Sequence, residues 1–165
     1  MKSYQAPLLG ACFVIALGYQ IAYGQAGKSP ASNAQQIERG RYIVEIAGCN
    51  DCHTAGYAQA GGKAPVSERL KGDTLGYCGP WGTTYPTNLR LSIGKMTEDE
   101  WVKYAKTLMT RPPMPWFSVR AMSEADQRAL YRYVKSLGVS GNLAPAPLPP
   151  DRQPKGPYIQ WPGVK

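Results

Sequence analysis

The chain has 165 residues and a formal charge of +8, with nineteen Lys and Arg against eleven Asp and Glu. At 43% hydrophobic and 18% charged residues it has the composition of a globular protein, and its length fits one domain. The basic residues are scattered, without the interleaved stacking aromatics of an RNA- or DNA-binding module, which sets nucleic acid aside.

The chain opens with a targeting pattern. Lys2 is followed by an apolar run from Ala6 to Ala22 and then by the small residues of AYGQAG. A basic start, an apolar middle and a small-residue end describe a secretory signal peptide over residues 1–24, with cleavage near 24–26. An uncleaved run of this length would instead act as a membrane anchor. No acidic residue precedes Glu38, so removal of the leader takes only Lys2 from the balance and leaves eighteen against eleven, or +7. Export to the periplasm is the expectation, and a basic surface there suits an acidic protein partner.

The first helix is expected from Ala34 to Ala47, with Asn33 as N-cap and Gln36 as the matching capping-box residue. Ile37, Gly40, Val44 and Ala47 share one face, and Gly48 stops the helix.

Directly after it stands CNDCH, Cys49 to His53, which contains the chain's only histidine. A Cys-x-x-Cys pair can be a dithiol redox centre, half a zinc site or an anchor for haem. A dithiol centre needs no adjacent histidine and sits in a βαβ context, which is missing here. A structural zinc needs four ligands, and the chain offers only Cys49, Cys52, His53 and the distant Cys78. Cys-x-x-Cys-His is the c-type haem attachment pattern: the two thiols reach the two vinyl groups of one porphyrin edge, and the adjacent imidazole is held under the iron.

Some forty Gly- and Pro-rich residues follow, a loop long enough to call for a prosthetic group to pack on. Within it, GYAQAGGK has its lysine one residue too late for a phosphate-binding loop. Pro65 lies twelve residues beyond His53 and is a candidate to accept the imidazole's second N–H through its carbonyl. Trp81, Tyr85, Asn88 and Trp116 are candidates to line a haem crevice or bond its propionates. Cys78 is left over as either a buried free thiol or the link of a disulfide dimer.

A second helix is expected from Glu98 to Leu108, opened by Thr97 with Glu100 and ended by Arg111-Pro112-Pro113. Met114 follows between Pro113 and Pro115, whose rings restrict the backbone and remove competing N–H donors. With no second histidine, Met114 is the candidate for the distal ligand, ahead of Met96, Met109 and Met122. A third helix is expected from Glu124 to Leu137 behind a Ser123 cap. Residues 139–165 form a Pro-rich tail, with seven prolines after Val139, and Tyr158 and Trp161 suggest that it docks at least in part.

GRYIVEIAGCNDCHT, GPWGTTYPTNLR, PPMPW and ALYRYVKSLG occur in the order seen in class I monohaem cytochromes c. The sequence most resembles the haem modules in cytochrome subunits of periplasmic alcohol, gluconate and aldehyde dehydrogenases, over roughly Gln36 to Gly138. The resemblance implies an all-α class I cytochrome c fold over 34–138, in which the first and third helices cross near Gly40. It also implies one haem c joined to Cys49 and Cys52, with His53 and Met114 as axial ligands. The function implied is electron transfer between a dehydrogenase donor and an oxidase or other acceptor, without catalysis by the chain itself. A five-coordinate, peroxidase-like haem or a gas-binding sensor module is the alternative. Those dehydrogenase subunits string several modules together, whereas this chain has a single CxxCH, and Cys78 lies outside the family pattern.

Overall fold

The structure, a computed structural model, describes residues 31–162. The expected leader, its cleavage site and Cys12 lie outside the described residues. In chain order there are helices α1 (Asn33–Ile46), α2 (Cys49–His53), α3 (Leu89–Ser92), α4 (Glu98–Thr107), α5 (Trp116–Ala121) and α6 (Glu124–Ser136). Three short strands accompany them, β1 (Gly76–Gly79), β2 (Gly82–Thr84) and β3 (Tyr158–Gln160). No helix among the described residues is long and apolar enough to cross a membrane.

The three expected helices are present within a residue of their expected ends. α1 starts one residue early because Ser32, not Asn33, is its cap: the Ser32 hydroxyl accepts from the Gln35 N–H, and the Gln35 side chain accepts from the Ser32 N–H. The same reciprocal box joins Thr97 and Glu100 at α4, and Ser123 caps α6 through the Asp126 N–H. Each cap satisfies N–H groups that a helix start leaves open, worth about 1 kcal/mol.

α1 and α6 cross at Gly40. A Cβ built there would fall 2.0 Å from the Ala129 carbonyl oxygen and 2.7 Å from the Tyr133 Cβ, so the two backbones touch where the side chain is missing. Around that contact Ile43 and Val44 of α1 meet Leu130, Tyr133 and Val134 of α6, with Trp101, Val102, Ala105 and Leu108 closing the cluster from the α4 side. Burying each large apolar side chain contributes about 1.5–3 kcal/mol. Polar bonds set the register of α4 on α6. The Trp101 indole N–H donates to the Gln127 carbonyl at 2.8 Å, and Glu98 takes two bonds of 3.0 Å from Arg132.

The expectation of an all-α chain is corrected by a small sheet of order β2-β1-β3. β1 runs antiparallel to β2, with Tyr77 opposite Thr84 and Gly79 opposite Gly82. The third strand comes from the tail and lies parallel to β1, with Tyr77 opposite Ile159 and Cys78 opposite Gln160. The strands are three or four residues long, so no alternation could announce them.

The tail therefore docks. Leu148 and Thr83 exchange two backbone bonds of 3.0 Å, and the Trp161 N–H donates to the Cys78 carbonyl at 2.7 Å. Arg111 donates to the Leu148 carbonyl at 3.2 Å, and Trp161 meets Trp81 edge-on with ring centroids 6.3 Å apart.

Candidate functional site

α2 is the CNDCH segment itself. Gly48 at φ 66° turns the chain sharply out of α1, and one helical turn follows at once. Within that turn Cys49 and Cys52 stand three residues apart, on the same face of the helix. His53 ends the turn, 8% exposed.

The segment is held from behind. The Thr54 hydroxyl donates to the Asn50 side chain and accepts from the Leu70 N–H, both at 2.8 Å. The His53 carbonyl accepts from the Gly72 N–H at 2.8 Å. Gly72 has φ +81°, and a Cβ there would sit 2.8 Å from both the Asn88 nitrogen and the Pro86 carbonyl oxygen. Its bareness lets the 86–88 segment press against the turn. Fully buried Leu70, at φ 60°, bridges the two: it gives its N–H to Thr54 and accepts from the Leu89 N–H at 3.0 Å.

This packing brings the Thr87 carbonyl to 2.7 Å from His53 Nδ1. A carbonyl can only accept, so Nδ1 carries the proton and Nε2 keeps its lone pair. Burial lowers the His53 pKa from its ordinary value, against a smaller raising effect of the Thr87 bond, and the net lowering favours the neutral ring.

The expected acceptor, Pro65, does not have this role. Its carbonyl takes the Glu68 N–H at 2.9 Å and its side chain is exposed. The twelve-residue spacing is used up by turns with Gly56, Gly61 and Gly62 at positive φ, which carry Pro65 to the surface. Asn88 also departs from expectation. It caps α3 by accepting from the Leu91 N–H at 3.1 Å, and its amide donates to the Ser140 and Asn142 carbonyls at 2.8 and 3.1 Å. No polar atom of Asn88 remains for a propionate; the residue anchors the segment that carries Thr87.

Met114 is half-buried and packs against the hydrophobic cluster, as does Trp116. Arg120 lies over the Trp116 ring at 5.3 Å. Met109 is 77% exposed, while Met96 and Met122 pack on the core. Trp81 is half-buried, and its Nε1 is buried without a hydrogen-bond partner, as is the Thr84 hydroxyl. Tyr85 lines a cavity of about 610 Å³ with Thr74 and with Leu148, Arg152 and Pro157 of the tail. Cys78 lies on β1 beside β3 and is 8% exposed. This is the arrangement of a buried free thiol, the first of the two readings that the sequence leaves open.

The donor set fits a c-type haem. Two thiols lie one helical turn apart, the imidazole has Nε2 free, and orphaned donors at Trp81 and Thr84 await an acceptor. It does not fit the other chemistries. Burial pushes the Cys49 thiol up to about 11, whereas a dithiol catalyst needs a depressed thiol pKa. Among the described residues no three His, Cys, Asp or Glu side chains converge on a metal ion. Two supporting residues, Gly72 and Thr87, had no signal in the sequence, because their roles arise from a backbone approach between distant segments.

Helices crossing at a glycine above a Cys-x-x-Cys-His turn are features of a haem-binding electron-transfer domain. The sequence model of the cytochrome c family matches residues 37–138, and the chain belongs to that family. A nicotinate dehydrogenase subunit from Pseudomonas putida is 32% identical over 126 residues, covering 69% of this chain and 10% of that protein. The cytochrome c subunits of quinone alcohol dehydrogenase from Gluconacetobacter polyoxogenes and Komagataeibacter europaeus are each 30% identical over 162 residues, covering 89% of this chain and 30% of theirs. The chain thus spans less than a third of the length of these relatives. No solved structure matches.

Proposed function

We propose that the chain is an exported one-electron carrier with a single haem c, joined to Cys49 and Cys52 and ligated by His53 and Met114. The observation that carries this reading is the His53–Thr87 pair at the end of the Cys-x-x-Cys-His turn. A ligating imidazole needs its other nitrogen fixed by an acceptor, and here a backbone carbonyl provides one. Haem held in this way supplies one-electron redox chemistry at an iron whose ligands stay in place.

The protein's own residues do the rest. Cys49 and Cys52 tether one porphyrin edge, and His53 presents Nε2. Met114 offers a thioether from a segment restrained by Pro113 and Pro115. Trp81 Nε1 and the Thr84 hydroxyl, both without partners, suit a propionate. Membership of the cytochrome c family and the similarity to dehydrogenase cytochrome subunits support a dehydrogenase as donor and an oxidase or other protein as acceptor. The surface near Met114 suits such docking. Residues 101–123 contain no Asp or Glu, and Met109 and Phe117 are exposed there. The leader pattern over 1–24 and the haem attachment pattern both support a periplasmic location.

Absorption spectroscopy of the ferric holoprotein tests the ligation. His/Met coordination gives a weak sulfur-to-iron band in the far red, which Met114→Ala abolishes. A high-spin spectrum in the unmutated protein, unchanged by Met114→Ala, would favour the five-coordinate alternative.

A further inference from the structure

The tail strand is linked to the attachment turn through one side chain. Tyr77 lies on β1, flanked by Thr84 of β2 and Ile159 of β3. Its hydroxyl donates to the Cys52 sulfur at 3.5 Å, within reach for an acceptor as large as sulfur. No other hydrogen bond reaches either CxxC sulfur among the described residues. Burial, and then the bond to Cys52, raise the Tyr77 pKa from its ordinary value, so the hydroxyl stays protonated and remains a donor.

We propose that Tyr77 is a positioning residue for the Cys52 thioether, donating a hydrogen bond to its sulfur once the fold is complete, with β3 holding Tyr77 in place. This rests on the haem attachment at Cys52 proposed above. Attachment adds the Cys52 S–H across a vinyl double bond: a C–S bond forms, the S–H bond breaks, and the hydrogen ends on the neighbouring vinyl carbon. Nothing is oxidised or reduced by an outside reagent. The sulfur then has no hydrogen of its own and can only accept, which is the role opposite Tyr77. A donor on that sulfur draws electron density away from the porphyrin edge and favours the reduced state.

The test compares the unmutated full-length holoprotein with Tyr77→Phe, which keeps the ring and removes only the hydroxyl, and with Ile159→Pro, which disrupts the β3 pairing. Intact mass and the α band of the pyridine haemochrome count the thioethers, and redox titration reads the potential. Tyr77→Phe is expected to keep both thioethers. It is also expected to lower the ratio of reduced to oxidised protein at fixed potential about threefold, which is roughly 28 mV at 59 mV per tenfold for one electron. Ile159→Pro is expected to shift the potential in the same direction. An unchanged potential in Tyr77→Phe overturns the role of Tyr77. A normal Ile159→Pro beside an altered Tyr77→Phe overturns the part assigned to β3. Absence of covalent haem from the unmutated protein is a separate result, and it would overturn the attachment itself.

Discussion

The Thr87 carbonyl stands 2.7 Å from His53 Nδ1, and the next residue, Asn88, commits every polar atom of its side chain to holding that segment still. Changing Asn88 to Asp keeps the α3 cap but turns a two-fold donor into an acceptor facing two carbonyls. The expected loss of stability is about 2–4 kcal/mol, read from urea unfolding of the holoprotein. Because Asn88 has no free donor for a propionate, the visible spectrum of the folded variant should match the unmutated one. An altered spectrum at unchanged stability would return Asn88 to the haem crevice.

Gly40→Ala should be among the most damaging small substitutions. The new methyl would meet backbone, the Ala129 carbonyl at 2.0 Å, which cannot swing aside as a side chain can. Separating α1 from α6 is expected to cost about 3 kcal/mol. Thermal melts and the yield of folded holoprotein measure it, and a melting point within a degree or two of the original would contradict the contact.

Glu98 gives a prediction on pH. Hydrogen bonds from Arg132, followed by those from Arg128, hold its carboxyl below the usual value of 4.5. A carboxyl depressed on folding contributes stability above its unfolded pKa and loses it as pH falls through the folded one. Glu98→Gln should therefore lower stability at pH 7 by less than about 1 kcal/mol, since solvent still screens a pair that is only partly buried. The gap between the two proteins should close in acid below the carboxylate range. Paired denaturation curves at neutral and acidic pH read the difference directly, and a gap that persisted in acid would mean that Glu98 acts through packing.

Cys78 is buried beside the tail strand, so the oxidised protein should run as a monomer on a non-reducing gel and keep one free thiol by mass. Cys78→Ser should leave the redox potential unchanged and cost about 1–2 kcal/mol for a hydroxyl in a thiol's place. A reductant-sensitive dimer would show that β3 lifts readily.

Three of the helices, α1, α4 and α6, were readable because each carries its own instructions: a Ser or Thr cap, an acidic or amide residue three positions on, and an apolar stripe at helical spacing; the short α3 and α5 lack that pattern and were not expected. The attachment turn was readable because its chemistry is local, with two thiols and an imidazole inside five residues. What escaped depends on encounters between distant segments. Thr87 reaches His53 from 34 positions away, through a carbonyl that any residue type would offer. Pro65, at a spacing that invited the same role, is carried off by glycine turns. The sheet escaped for a similar reason, since its strands are too short to show alternation and one comes from a proline-rich tail.

That last strand affects the order in which the molecule is completed. Gln160 and its partner Cys78 are 82 positions apart, so pairing them in an unfolded chain would mean closing a long loop at a large entropic cost. Once α1, α4 and α6 have assembled around their glycine crossing, most of that loop is already fixed, and the remaining closure is short. The tail then acts as a late clasp, and its residues should exchange their amide protons well before those of α1 and α6.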